Sequence, residues 1–155
     1  MKWLYDLLSN EYLIIGVSSW LIAQVLKTIL HAVVNRKHDM WRLVGDGGMP
    51  SGHSATVTSV AVVSALVYGL GSFECAISVV LAIIVCHDAC GVRRETGKQA
   101  VLLNEIAELI NNLSTDKLSD EVKLKVFVGH TIPQVMAGIL TGAINATVLH
   151  FAFFA

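Results

Sequence analysis

Three stretches of this sequence hold side chains that could work together on a phosphate group. In GGMPSGHSA, residues 47–55, His53 follows Pro50, Ser51 and Gly52. Proline suits the first turn of a helix, where a missing N–H costs nothing, and Gly47, Gly48 and Gly52 allow close backbone approach. A helix that starts here points unsatisfied N–H groups and the positive end of its dipole at whatever lies before it, a natural place for an anion. An imidazole such as that of His53 can hand a proton to a departing oxygen. Alone, the motif fits equally well a histidine hydrogen-bonded to lipid or backbone. GHTIPQVMAG, residues 129–138, supplies a second histidine, His130, ahead of another helix start with proline in its opening turn. Two histidines at two helix starts could attack and protonate opposite ends of one phosphoester.

Positive charge accompanies them. In DACGVRRETGKQAVLLN, residues 88–104, Gly91 reads as a helix stop and is followed closely by Arg93 and Arg94, whose guanidinium forks match phosphate oxygens. The competing reading pairs Asp88 with one arginine and leaves the other as a solvated charge. Gln24, Lys27 and His31 fall at i, i+3 and i+7, one face of a helix. Lys27 could meet a bound phosphate or snorkel towards the membrane surface. Arg42 is a further candidate, in a loop that could equally be a solvated face.

The elements that position these residues are membrane spans. The chain has 155 residues, is 54% hydrophobic and 15% charged, and has a mean hydropathy of +0.64. A spanning helix needs about 20 mostly apolar residues, and four stretches qualify: about 12–34, 54–72, 74–90 and 132–155. The alternative, a soluble all-α bundle, is disfavoured because ATVTSVAVVSALVYGLGS leaves no polar face for water. The fold expected is therefore an all-α integral membrane bundle of about four transmembrane helices, forming a single domain over 1–155. Asp6 and Glu11 interrupt the N-terminal segment, and the first apolar run exceeds a signal-peptide core, so it should stay as an anchor. Cys75, Cys86 and Cys90 lie in or beside the third span, which argues against a secreted disulfide framework. CHDAC lacks a second ligand pair at zinc spacing, so no metal and no cofactor are expected. A net charge of −1 gives no hint of nucleic-acid binding.

Only YGLGSFE separates the second and third spans, so the loops at about 35–52 and 91–131 emerge on one side and the termini on the other. Arg36, Lys37, Arg42, Arg93, Arg94, Lys98, Lys117, Lys123 and Lys125 lie on the loop side, against Lys2 on the terminal side. The positive-inside rule places the loops in the cytoplasm and both termini outside, in a cell (plasma) membrane. Leu102, Ile106, Leu109 and Leu113 recur at helical spacing among Asn104, Glu105 and Glu108, which predicts an amphipathic helix packed on the bundle or lying at the membrane surface. TDKLSDEVKLKVF, residues 115–127, fits a strand or a short helix capped by Ser119. Ser54, Thr58, Ala61 and Ala65 on the second span, and Gly138 with Gly142 on the fourth, are small-residue packing signals.

Taken together, the three motifs resemble the divergent branch of the type 2 phosphatidic acid phosphatase superfamily, relatives of acid phosphatases and vanadium-dependent haloperoxidases. The resemblance runs from the first span onward. It implies that His53 acts as acid for the leaving group and that His130 attacks phosphorus, giving a phosphohistidine that water hydrolyses without a metal. This sequence departs from the family pattern at several places. Leu124 stands where an arginine normally precedes the nucleophilic histidine, and Val34 stands seven residues after Lys27 where an arginine is usual. Gln134 occupies the position of the carboxylate that orients the nucleophile, so Asp88 or Glu95 would have to supply that charge. The expected activity is hydrolysis of a lipid phosphate or diphosphate, a membrane hydrolase, with Ser51 and Gly52 cradling phosphate and Lys27, Arg93 and Arg94 balancing its charge. The alternative is a noncatalytic headgroup binder or assembly component. Expected partners are membrane lipids and the phosphorylated lipid substrate; an oligomer is possible.

Overall fold

A computed structural model describes residues 1–36, 48–113 and 129–155. Lys37, Arg42, Lys117, Lys123, Leu124, Lys125 and the segment 115–127 lie outside the described residues, as do the side chains of Arg93 and Leu113. A short α1 (Lys2–Leu8), which the sequence reading did not anticipate, precedes α2 (Glu11–Asn35), α3 (Gly52–Tyr68), α4 (Phe73–Cys90), α5 (Val92–Leu113) and α6 (Ile132–Leu149). The chain closes with a π-helical segment, His150–Phe154. No strand occurs among the described residues.

α2, α4 and α6 are long and apolar enough to cross a membrane, whereas α3 is shorter at 17 residues. The expected second span therefore moves: it starts at Gly52 and stops at Tyr68, not Ser72, because Gly69 turns the chain at φ 84°. At 1.5 Å per residue α3 is about 26 Å long, somewhat under the ~30 Å hydrocarbon thickness. It tolerates this because α2, α4 and α6 all pack around it. Ser72 caps α4 through the Cys75 N–H at 3.1 Å, so YGLGSFE makes the tight turn its composition suggests.

The distribution of side chains rejects the soluble-bundle alternative. Ser19, Ser51, Ser54, Ser59, Ser64, Gln24, Lys27 and His130 are buried, while Leu21, Ile83 and Ile144 on the long helices are half or more exposed. A water-soluble bundle buries its large apolar side chains; here they face outward, as a bilayer requires. The protein is an integral membrane protein of all-α architecture. Close helix approach comes from small residues. A Cβ on Gly138 would sit 2.5 Å from the Ser51 carbonyl oxygen, and one on Gly142 would strike the Ala55 backbone. α6 thus lies on the first turns of α3, against Ser51, Ser54 and Ala55.

Gly91 is a narrower break than expected. Its N–H caps α4 at the His87 carbonyl, 2.9 Å away, and α5 begins at the next residue. α5 is the anticipated amphipathic helix, with Leu102 and Leu109 exposed and a Glu95–Lys98 ion pair of 2.6 Å on its surface.

Candidate functional site

The start of α3 is built by Ser51. Its hydroxyl oxygen accepts the Ser54 N–H at 3.3 Å and the Ser54 hydroxyl at 3.0 Å, and its carbonyl accepts the Ala55 N–H at 3.1 Å. Capping of this kind satisfies donors that a helix start otherwise leaves open. The Ser51 N–H donates to the Gln134 carbonyl at 3.0 Å, so it is committed to joining α3 to α6. The backbone cradle expected of Ser51 and Gly52 accordingly shifts by one residue: the N–H groups of this turn that these bonds do not use are those of Gly52 and His53. A Cβ on Gly52 would meet Trp20 Cδ1 at 3.1 Å, so glycine here admits the indole against the helix start.

His130 sits just before α6. Its backbone N–H donates to the Ala89 carbonyl at 3.0 Å, which ties it to the last turn of α4. Its ring is almost fully buried, 5% exposed. Gln134 is the third residue of α6, and its Oε1 accepts the Thr131 N–H at 3.0 Å. That bond turns the amide oxygen towards the start of the helix, where it also lies 3.3 Å from His130 Nδ1. An amide oxygen can only accept, so Nδ1 is the donor in this contact.

Two backbone bonds, Ser51 to Gln134 and His130 to Ala89, gather the starts of α3 and α6 and the end of α4 at one end of the bundle. The His53 and His130 rings face one another there, centroids 6.5 Å apart and planes inclined at 61°. His53 is exposed and His130 buried. The site therefore has an open imidazole and an enclosed one, beside two helix N-termini whose dipoles both favour an anion.

The other predicted residues divide. Trp20 lies against Gly52, so Lys27, seven residues further along α2, is about 10 Å beyond the start of α3 by helical rise. It is 4% exposed, so the residue is enclosed by protein near the loop end of the bundle. Gln24, on the same face, has a buried Oε1 without a hydrogen-bond partner among the described residues. Asp88 is half-buried, one residue before the carbonyl that holds the His130 N–H. Glu95 is exposed and paired with Lys98 at 2.6 Å. Arg94 is exposed in the first turn of α5, and Arg93 is the second residue of that helix.

Two polar contacts escaped the sequence reading. Asn145 Nδ2 donates to Ser18 Oγ at 3.0 Å and to Ser19 Oγ at 2.8 Å, crossing from α6 to α2. At the opposite end of the bundle, His150 Nδ1 lies 2.6 Å from Glu11 Oε1, beside a Tyr12–Tyr68 stack with centroids 5.8 Å apart. The available signal was a carboxylate and a histidine at the outer ends of two spans predicted to run antiparallel.

Comparison with known proteins gives a family and a relative. The model of a family described as the divergent PAP2 family matches residues 8–145. The chain is also 35% identical over 156 residues to a Bacillus subtilis (strain 168) protein named "Uncharacterized membrane protein YuiD", covering 96% of this chain and 99% of that one. No solved structure matches.

Proposed function

The chain belongs to the divergent PAP2 family, and from that premise we propose that it is a membrane phosphatase acting on a lipid phosphate or diphosphate. The observation that carries this reading is the pairing of His53 with His130, residues remote in sequence, at 6.5 Å beside two helix starts. His130 Nε2 attacks phosphorus while the bond to the leaving oxygen breaks, and His53 supplies that oxygen with its proton. Water then attacks the phosphohistidine, giving its proton to His53 and releasing phosphate and the free imidazole. The Nδ1 proton of His130 stays on its hydrogen bond to Gln134, which holds the ring in the tautomer that leaves Nε2 nucleophilic. The N–H groups of Gly52 and His53, the buried Lys27, and Arg93 and Arg94 from α5 balance the phosphate charge, and Asp88 supplies the carboxylate influence that Gln134 lacks. The loop end faces the cytoplasm, so the substrate lies in the inner leaflet of the plasma membrane. Accessibility tagging that labels residues of the loop at 91–131 from outside the cell overturns this orientation.

The decisive experiment is phosphate release by purified protein in chelator against several lipid phosphates, with His130→Ala in parallel. Turnover lost in the variant supports the assignment; equal release by both removes His130 as nucleophile. One observation favours a second reading, a headgroup binder without turnover: the neutral Gln134 amide cannot stabilise an imidazolium as a carboxylate does. Vanadate binding at the histidine pair without phosphate release from any substrate favours that reading.

A further inference from the structure

Gln24 is 5% exposed, and its Oε1 is a buried acceptor with no hydrogen-bond partner among the described residues. The backbone carbonyl of the same residue, by contrast, accepts the Thr28 hydroxyl at 2.9 Å. An open acceptor in a packed interior is costly, and it calls for a donor that arrives from outside the fold. The place of Gln24 on α2 says where that donor arrives. α2 turns the face holding Gly16 and Trp20 towards α3: a Cβ on Gly16 would meet Val60 Cγ2 at 3.3 Å, and one on Gly52 would meet Trp20 Cδ1 at 3.1 Å. Gln24 and Lys27 continue that face, four and seven residues past Trp20. Side chains on a helix lean towards its N-terminus. From about 6 Å beyond the level of Trp20, the Gln24 amide therefore leans back over the first turn of α3, where the N–H groups of Gly52 and His53 are left for an anion. Lys27, also buried, stands one turn further out on the same face.

We infer that Gln24 decides which oxyanion this site accepts, its Oε1 taking a hydrogen bond from a protonated oxygen of the bound phosphate group. The inference rests on the phosphate site of the phosphatase reading and deepens it. The α3 N–H groups and the Lys27 ammonium are donors, and they serve any tetrahedral anion alike. An amide oxygen does the opposite: it attracts P–O–H and repels a bare anionic oxygen. Phosphate near neutral pH still carries a proton, whereas sulfate, of similar size and the same shape, carries none. The Gln24 acceptor thus turns a general anion site into one that tells phosphate from sulfate, and it favours a phosphate monoester in its singly charged form. Burial sharpens the choice, because no water relieves a bare oxygen pressed against an enclosed acceptor.

The test is equilibrium binding of radiolabelled inorganic phosphate and sulfate to the full chain in lipid nanodiscs, near neutral pH and at fixed ionic strength. Neither ion has a leaving group, so only a proton on the anion itself can separate them. The parent should bind phosphate ~tenfold or more tighter than sulfate, the size of effect a hydrogen bond to a charged group supplies. Gln24→Met and Gln24→Leu, which keep the bulk and remove the acceptor, should each bring that ratio towards one. Neither should lower thermal stability in the absence of ligand, because replacing an unpaired buried acceptor by an apolar group is neutral or stabilising. A parent that binds sulfate as tightly as phosphate, as it would if the amide turned its nitrogen to the anion, overturns the inference, and so does a parent that binds neither ion. A preference kept in either variant, or stability lost with the preference unchanged, as a structural water on Oε1 would give, overturns it too. Turnover of lipid phosphates is measured separately: discrimination without turnover keeps the role of Gln24 and removes the phosphatase reading, and turnover without discrimination removes the role of Gln24 alone.

Discussion

The two ends of the bundle each hold a histidine with a side-chain partner, and they differ in most other respects. At the terminal end His150 meets the Glu11 carboxylate at 2.6 Å. At the loop end His130 meets the Gln134 amide at the longer distance of 3.3 Å. Judged by the imidazole alone, the first pair has the stronger partner. The surroundings reverse that order. α3 and α6 both begin at the loop end, so their N-terminal dipoles favour an anion there, and a second imidazole faces the first. At the terminal end α3 and α6 finish, presenting carbonyl oxygens that repel an anion, while the starts of α2 and α4 there are capped by Asn10 and Ser72, and Glu11 already places a carboxylate in the first turn of α2. A carboxylate–imidazole pair is thus a staple between α2 and the end of α6, while the weaker pair lies beside the starts of α3 and α6. Partner strength says less about chemistry than the direction of the helices around it.

The sharpest way to break this comparison is to exchange which histidine is lost. His130→Ala should lower phosphate release by about 10³-fold or more. His150→Ala should leave turnover within about threefold but cost about 1–3 kcal/mol in thermal unfolding, because a largely buried Glu11 loses its donor. Comparable activity losses in the two variants would erase the distinction between the ends. Next, His53→Ala should cost about 10²–10³-fold with an alkyl phosphate, whose leaving oxygen needs a proton, and distinctly less with p-nitrophenyl phosphate, whose does not. A loss independent of the leaving group would contradict its role as acid.

A smaller effect is expected from moving α6. Gly142→Leu should destabilise the bundle by about 1–3 kcal/mol and reduce turnover, because the side chain meets the Ala55 backbone and pushes His130 from His53. Stability measured in detergent and turnover measured in lipid should fall together. The mildest change makes the loop end resemble the terminal one. Gln134→Leu should lower kcat by roughly tenfold through loss of the tautomer, and Gln134→Glu should equal or exceed the parent. A Gln134→Leu protein as active as the parent would show that the amide does not position the ring.

Much of this was legible in residue order. The apolar runs, a helix start near each of Pro50 and Pro133, and the amphipathic α5 all depend on local sequence, which acts within a few residues of itself, although Pro50 stands two residues ahead of α3 and not in its first turn. The end of α3 at Tyr68 was not, since hydropathy continues through Leu70 and only the backbone of Gly69 stops the helix. Nor were the commitment of the Ser51 N–H to Gln134 or the pairing of Glu95 with Lys98, because both depend on which donor another element, or a neighbouring rotamer, reaches first.

From its composition and motifs alone, this chain was bound to be a membrane bundle with two histidines at helix starts on one side, because transfer to hydrocarbon depends on summed apolar residues and a start signal on its own few neighbours. Which side chains meet was decided by tertiary structure. His53 and His130 come within 6.5 Å because Gly138 and Gly142 let α6 rest on the backbone of α3, and because Ser51 and His130 donate backbone bonds to Gln134 and Ala89. Helices apolar around much of their circumference carry little record of their own rotation, so the face each turns to its neighbour is settled only when small residues and buried polar groups find one another in the packed bundle.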